Sequence, residues 1–334
     1  MRLDDLKTEY ILRRFEPRDA SSIVACIRDA YGESYVKPFL YHESEILRLD
    51  EKGEMCFSVA EAENGEIAGI TAFERDEMFK GLGEIACQIV RGEYSGQGLA
   101  LDLALHSMHE AEKEDFTGQF ARALGCHLIS QKTLKRMGFT ACGFILNIFD
   151  KELFLHKFEN GDYAKIPQSV AAKKQTKQNA GRVWIPESLS PLAKSIYSEM
   201  GVAAEFYSEI SPLSGEDSWS SSQDDKHNTL TLMARGCGSG FESRLKAEIE
   251  KVSGRKGQSI NLYINLSRSG SAAAYSIARE QGFIFTGFLP CCADGEYIIM
   301  HDPLNLPVLI DEIPHIPEYH PFIEEIRRQL CKIR

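Results

Sequence analysis

The segment Val90 to Ala100 reads V-R-G-E-Y-S-G-Q-G-L-A, and its residue types are those of an anion cradle. Glycines at 96 and 98 let the backbone turn so that successive N–H groups point at one spot, and a helix beginning near Leu99 adds its unpaired N-terminal donors and its dipole. A single dipole contact at an exposed site is worth about 0.3–1 kcal/mol, so several converging N–H bonds are required for useful affinity. A diphosphate group suits such a site. The nearest counterpart in the second half, Gly236-Cys237-Gly238-Ser239-Gly240, lacks the full pattern and reads as a degenerate copy. Cys87 and Cys126 stand alone beside strand-like runs, where cysteine is more often a core residue than a nucleophile.

Such a loop works only if a strand delivers it and a helix receives it. Ile85 to Val90 has strand composition, and from about Leu99 the residues Leu101, Ala104, Leu105, Met108 and Ala111 fall on one helical face. Upstream, Tyr10 to Arg14 reads as a strand, and Asp19 is placed to cap a helix carrying Ile23, Cys26, Ile27 and Ala30 that Gly32 ends. Phe57 to Ala62 and Glu66 to Phe73 form a hairpin joined by Asn64-Gly65, the preferred centre of a type I' turn in which both residues take positive φ. Downstream follow a strand at Gln119 to Leu124, a helix at Ser130 to Met137 and an extended run at Phe139 to Phe149. This order predicts an α/β (α+β) domain with one mixed sheet flanked by helices, not a purely parallel alternation.

A net charge of -11 offers phosphate backbones no general attraction, which argues against nucleic acid as a partner. No stretch approaches the roughly 18–20 apolar residues of a membrane span, and Met1 to Asp5 lacks the apolar core of a secretory signal, so a cytoplasmic protein without a membrane partner is expected. The nine cysteines form an odd set without a Cys-x-x-Cys pair, arguing against a disulfide framework and against a zinc site; no metal is expected.

The chain also repeats itself. Gly138-Phe139-Thr140-Ala141-Cys142-Gly143-Phe144 returns as Gly282-Phe283-Ile284-Phe285-Thr286-Gly287-Phe288, each after a short helix and, before that, a strand. The second strand is marked by alternating Ile260, Leu262, Ile264 and Leu266, and a helix at Phe241 to Val252 precedes it. Duplication of one fold explains the spacing economically. Between the copies periodicity fades, and Lys173 to Asn179 has the polar composition of a connector. The expected organisation is a first domain at 1–150, a connector at 151–182 with its boundary near Ala180, and a second domain at 183–334 ending in a helix. Ser211 to Asn228 is serine-rich and reads as a mobile loop within that domain.

With these elements around it, Ser95-Gly96-Gln97-Gly98-Leu99-Ala100 resembles the coenzyme loop of the GNAT superfamily of N-acetyltransferases, Gln/Arg-x-x-Gly-x-Gly/Ala between the fourth strand and third helix. Both small-residue positions match; Ser95 replaces the usual Gln or Arg and has a shorter reach. The resemblance covers most of the chain and is strongest from Tyr10 to Phe149. It implies that Gln88, Ile89 and Val90 offer strand backbone to the pantetheine arm of acetyl-CoA, and that Ser95, Gly96, Gln97, Gly98, Leu99 and Ala100 hold its diphosphate. It implies further contacts from His127 and Ser130. Glu84 takes the place where the superfamily often carries its base, the alternative being an exposed strand-end carboxylate. The superfamily's Asn position falls on His127, whose imidazole can act as acid or base near neutrality or cap the helix after it. The Tyr position falls on Leu134, so the usual acid is missing.

The function expected from this resemblance is direct transfer of an acetyl (acyl) group from acetyl-CoA to an amine of a small molecule or protein. A non-catalytic acyl-CoA-binding regulatory protein is the alternative, favoured by Leu134 and Ser95. Acceptor specificity would reside in loops such as Tyr31 to Asp50, and a homodimer is left open.

Overall fold

The computed structural model describes residues 10–76, 78–150, 165–175 and 181–333. Expectations for Met1 to Asp5, for most of the connector and for a boundary near Ala180 lie outside the described residues. By internal contact the chain forms two compact units, one of residues 1–77 and 82–121, the other of 78–81 and 122–334. This division follows contact density, not the sequence repeat.

Unit 1 opens with β1 (Tyr10–Arg14), α1 (Ala20–Tyr31) and α2 (Glu43–Glu51), then β2 (Met55–Ala62), β3 (Ile67–Arg75), β4 (Leu82–Val90), α3 (Leu99–Ala111) and the start of β5 (Gly118–Leu124). β1 to β4 pair antiparallel in chain order, and β5 joins β4 in parallel. Alternation along the strands sorts side chains to two faces. Phe57, Val59, Ile70 and Ala72 cluster with Ile23 and Ile27 of α1 and Ile46 of α2. Ala60, Ala62 and Ala68 meet Leu99 and Leu103 of α3.

Three local expectations change. Asp19 makes no side-chain cap on α1; its carboxylate instead accepts both Nη atoms of Arg13 at 2.7 and 2.9 Å. The β2–β3 turn is not type I', because Gly65 alone has positive φ, at 82°. Gly65 N–H donates to Ala62 O, and the Glu66 amide to the Asn64 side-chain oxygen, which is a type I turn followed by a left-handed glycine. The buried stripe of α3 is Leu99, Leu103, Ala104, Ser107, Met108 and Ala111, while Leu105 is 45% exposed. Small residues let the helix lie close to the alanine face, and periodicity read from apolar residues alone placed the stripe too far round.

Unit 2 continues with α4 (Ile129–Arg136), β6 (Thr140–Asp150), β7 (Lys165–Lys174), β8 (Gly181–Trp184), α5 (Ser190–Glu199), β9 (Ala204–Tyr207), β10 (Ser218–Asp224), β11 (Thr229–Gly236), α6 (Phe241–Val252), β12 (Ser259–Asn265), α7 (Ser271–Glu280), β13 (Ile284–Cys292), β14 (Gly295–His301) and α8 (His320–Leu330). Its strands lie in the order β7-β6-β13-β14-β12-β11-β10, with β8 and β9 a separate parallel pair. The series hairpin, helix, parallel strand, helix, two antiparallel strands thus occurs twice: β3-β4-α3-β5-α4-β6-β7 and β10-β11-α6-β12-α7-β13-β14. The mixed α/β class expected from the sequence is the one observed. Where a connector was expected, residues 165–174 form β7, buried along most of its length with both faces covered, so it shows no alternation. The expected mobile loop contains β10, a polar edge strand paired with β11 in which Ser218, Ser221 and Ser222 are exposed. No helix among the described residues is long and apolar enough to cross a membrane.

Candidate functional site

β4 carries the site in unit 1. Ile70 faces Ile89 and Ala72 faces Ala86, so Cys87 and Gln88 together oppose Thr71, and Cys87 takes φ 54°. This is a bulge, a device that bends a strand and re-aims its groups. On the opposite edge the parallel ladder with β5 runs only from Leu82↔Gly118 to Glu84↔Phe120. Gln88, Ile89 and Val90 therefore stand beyond its end. Their outward backbone groups are available to an extended ligand in the manner of a strand.

After β4, the Arg91 amide donates to Ala68 O at 3.0 Å, and buried Tyr94 anchors a short turn in the α3 cluster. Gly96 and Gly98 then take left-handed φ of 80° and 90° on either side of Gln97. Alternating hands of this kind turn successive amides to one side of the chain. A Cβ at either glycine would meet nothing within 4 Å. The amides of Gly96, Gln97, Gly98, Leu99 and Ala100 have no acceptor among the described residues; the first helical bonds are Leu101 and Asp102 N–H to Gly98 O. Gln88 Nε2 donates to Ala100 O at 2.8 Å, tying the bulge to the first turn of α3. The arrangement offers consecutive unpaired donors at the head of a 13-residue helix, with open space before them. Ser95 is exposed at its edge.

Glu84 is not the exposed strand-end carboxylate that was the alternative. It is 5% exposed and lies directly across the ladder from Glu74. Like charges directly opposite are unfavourable unless a cation joins them. Lys37, from the loop after α1, supplies it: its Nζ bonds Glu74, and Glu84 and Cys87 also lie within its field. Burial works against this ammonium, yet Cys87, Glu74 and Glu84 hold its pKa above the usual lysine value. The Tyr35 hydroxyl hydrogen-bonds the Cys87 sulfur, and burial pushes that thiol up to about 11. Lys37, Glu74 and Tyr35 escaped sequence reasoning. The signal available was only that the loop from Tyr31 to Asp50 should face the acceptor.

His127 and Ser130 belong to unit 2. His127 Nδ1 accepts the Ile129 amide at 3.2 Å, so the ring caps α4, and burial lowers its pKa. Ser130 is half-buried in the first turn of α4. Leu134 is core, at 7% exposure. Cys126 is buried, and burial pushes its thiol up to about 11. Lys135, one of the basic side chains downstream of the loop, is committed to Glu318, whereas Arg91 Nε in unit 1 is buried without an acceptor.

Neither a protein-family model nor a curated protein sequence matches the chain. Solved structures resemble it over about half its length. They include an N-acetyltransferase from Staphylococcus aureus at 17% identity, covering 51% of this chain and 100% of its own, with a TM-score of 0.41. A GNAT superfamily phosphinothricin acetyltransferase from Sinorhizobium meliloti, in complex with acetyl-CoA, is 18% identical over 49% of this chain and 88% of its own, with a TM-score of 0.39. A ribosomal-protein-S5-alanine acetyltransferase from Vibrio fischeri is 16% identical over 52% of this chain and 97% of its own, with a TM-score of 0.39.

Proposed function

We propose that the chain is a tandem GNAT-type acyltransferase of the cytoplasm: the repeat at 1–150 binds acetyl-CoA and passes the acyl group directly to an amine, and the repeat at 183–334 is a degenerate copy. The observation that carries this reading is the run of amides at residues 96–100, donors without an internal acceptor at the N-terminus of α3. Charge-assisted bonds from such amides to phosphate oxygens are stronger than neutral ones, and the helix dipole adds to them. The open space beside Gly96 and Gly98 is what a diphosphate requires. Gln88, Ile89 and Val90, beyond the end of the β5 ladder, would hold the pantetheine arm by backbone bonds, and Ser95 would add a polar contact.

When bound, acetyl-CoA supplies the acyl group as an activated thioester. The reaction then needs a neutral amine, a stabilised oxyanion and a proton for the departing sulfur. The Val90 N–H is the donor for the developing oxyanion. Glu84 takes the ammonium proton through water, with Lys37 stabilising its charged form until then. Leu134 has no proton to give. The departing thiolate takes its proton from solvent instead. Cys87 and Cys126 remain protonated near neutrality, which favours direct transfer over an acyl-enzyme.

The test is thiol release from acetyl-CoA in the presence of an amine library. Gly98→Trp, which fills the cradle, should abolish release, and Glu84→Gln should lower kcat by roughly 10²–10⁴-fold, the usual worth of a general base. Release by the natural chain no faster than by Gly98→Trp rejects catalysis. Coenzyme binding without turnover would instead assign the acyl-CoA-binding regulatory role.

A further inference from the structure

The second glycine loop differs from the first in what stands against it. At Gly96 and Gly98 an added Cβ meets nothing within 4 Å, but at every glycine of 236, 238 and 240 it would strike the segment before β10. Gly236 lies against Glu216 O at 2.8 Å, Gly238 against Gly215 O at 2.3 Å, and Gly240 against Asp217 Oδ2 at 2.4 Å, each measured from the ideal Cβ position. Leu213 reaches the loop before α7 in the same way, its Cδ2 being 3.2 Å from a Cβ on Gly270. The Gly238 amide, three residues before α6, donates to Asp217 Oδ1 at 2.8 Å. A carboxylate of the chain itself thus accepts from the loop that leads into the N-terminus of α6.

We infer that residues 213–217 are a built-in strap that seals the second glycine loop, with the Asp217 carboxylate taking the place of an anionic ligand's oxygen at the Gly238 amide. The three glycines are explained by the strap, because each admits a backbone or carboxylate oxygen where a methyl group would collide. The contact is autoinhibitory in form: an external diphosphate can reach the loop only after Asp217 has left it. The carboxylate is well suited to release. Asp217 is exposed, and its hydrogen bond to the Gly238 amide is the contact that high salt or substitution would weaken. The strap follows from residues of unit 2 alone and stands whatever the first loop binds.

The experiment uses the full chain carrying Gly98→Trp, which silences the first loop, titrated with inorganic pyrophosphate by calorimetry. With Asp217 intact no binding is expected up to millimolar concentrations. Asp217→Ala in the same background should tighten pyrophosphate binding at least tenfold, in a salt-sensitive manner, and speed hydrogen exchange of the Gly238 amide. Asp217→Asn, which keeps an acceptor oxygen without charge, should fall between the two and serves if the alanine variant does not fold. Binding with Asp217 intact would overturn the inference, as would unchanged exchange at Gly238 or no gain in either variant.

Discussion

Replacing Gly143 by alanine will destabilise the chain by roughly 3–5 kcal/mol, the range reached by buried backbone collisions. Gly143 and Gly287 occupy the same place in the sequence repeat, each followed by phenylalanine, and in the structure they are paired with each other as the one registered contact between β6 and β13. A Cβ on Gly143 would lie 2.4 Å from both Gly287 Cα and Thr286 O. Its φ of 126° adds a conformation that residues with a side chain rarely take. Gly287→Ala should cost less, because its Cβ meets Cys142 O at 2.6 Å and Gly143 Cα at 2.9 Å without a positive φ. Both substitutions force the same two strands apart, so the double variant should lose less than the sum of the singles. Denaturant unfolding measures all three. A loss below about 1 kcal/mol for Gly143→Ala would show that β6 and β13 do not meet in this way.

Glu296→Gln is expected to gain stability relative to the natural chain as pH rises. Glu296, on β14, is 3% exposed; its Oε2 accepts from the Tyr197 hydroxyl at 2.8 Å and the Cys291 amide at 3.0 Å. Neither bond brings a positive charge. Burial is the dominant cause and outweighs both hydrogen bonds, lifting the carboxyl from its ordinary 4.5 to about 7. A carboxyl with a raised pKa binds its proton more tightly in the folded chain than in the unfolded one. Its contribution is present in full below about pH 4.5 and is lost as pH rises to about 7, an order-of-magnitude loss of about 3 kcal/mol. Glutamine has no proton to lose and keeps an acceptor oxygen. Most of that amount should appear between pH 5 and pH 8, as a move of the stability difference between variant and natural chain in favour of the variant. Parallel unfolding curves at the two pH values would mean that Glu296 is not held as a buried acid.

What the sequence made legible were features carried by local chemistry. Asn64-Gly65 marks the hairpin, and Gly96 and Gly98 mark the loop between β4 and α3, because positive φ is a property of single residues. What it hid depends on partners distant in the chain. The Cys87 bulge exists only against β3, and nothing in C-Q-I-V announces it. Glu84 reads as a surface carboxylate until Glu74 and Lys37 are brought beside it. β7 escaped because burial on both faces removes alternation, and β10 because an exposed edge strand has the composition of a loop. The repeated Gly-Phe was visible as a pattern, yet its reason, two backbones crossing at Gly143 and Gly287, lies in the paired strands. His127 shows the same limit from the other side: both of its readings, acid or cap, fitted the sequence, and the Ile129 bond now fixes one ring nitrogen as the cap.

Titrating acetyl-CoA into the ¹⁵N-labelled chain tests the diphosphate cradle most directly. Saturable shifts should appear first and largest at the amides of Gly96, Gln97, Gly98, Leu99 and Ala100, with smaller changes at Gln88 to Val90, and free phosphate should leave them in place. Saturable coenzyme binding that leaves the five loop amides unmoved, or no binding at millimolar acetyl-CoA, would contradict the assignment.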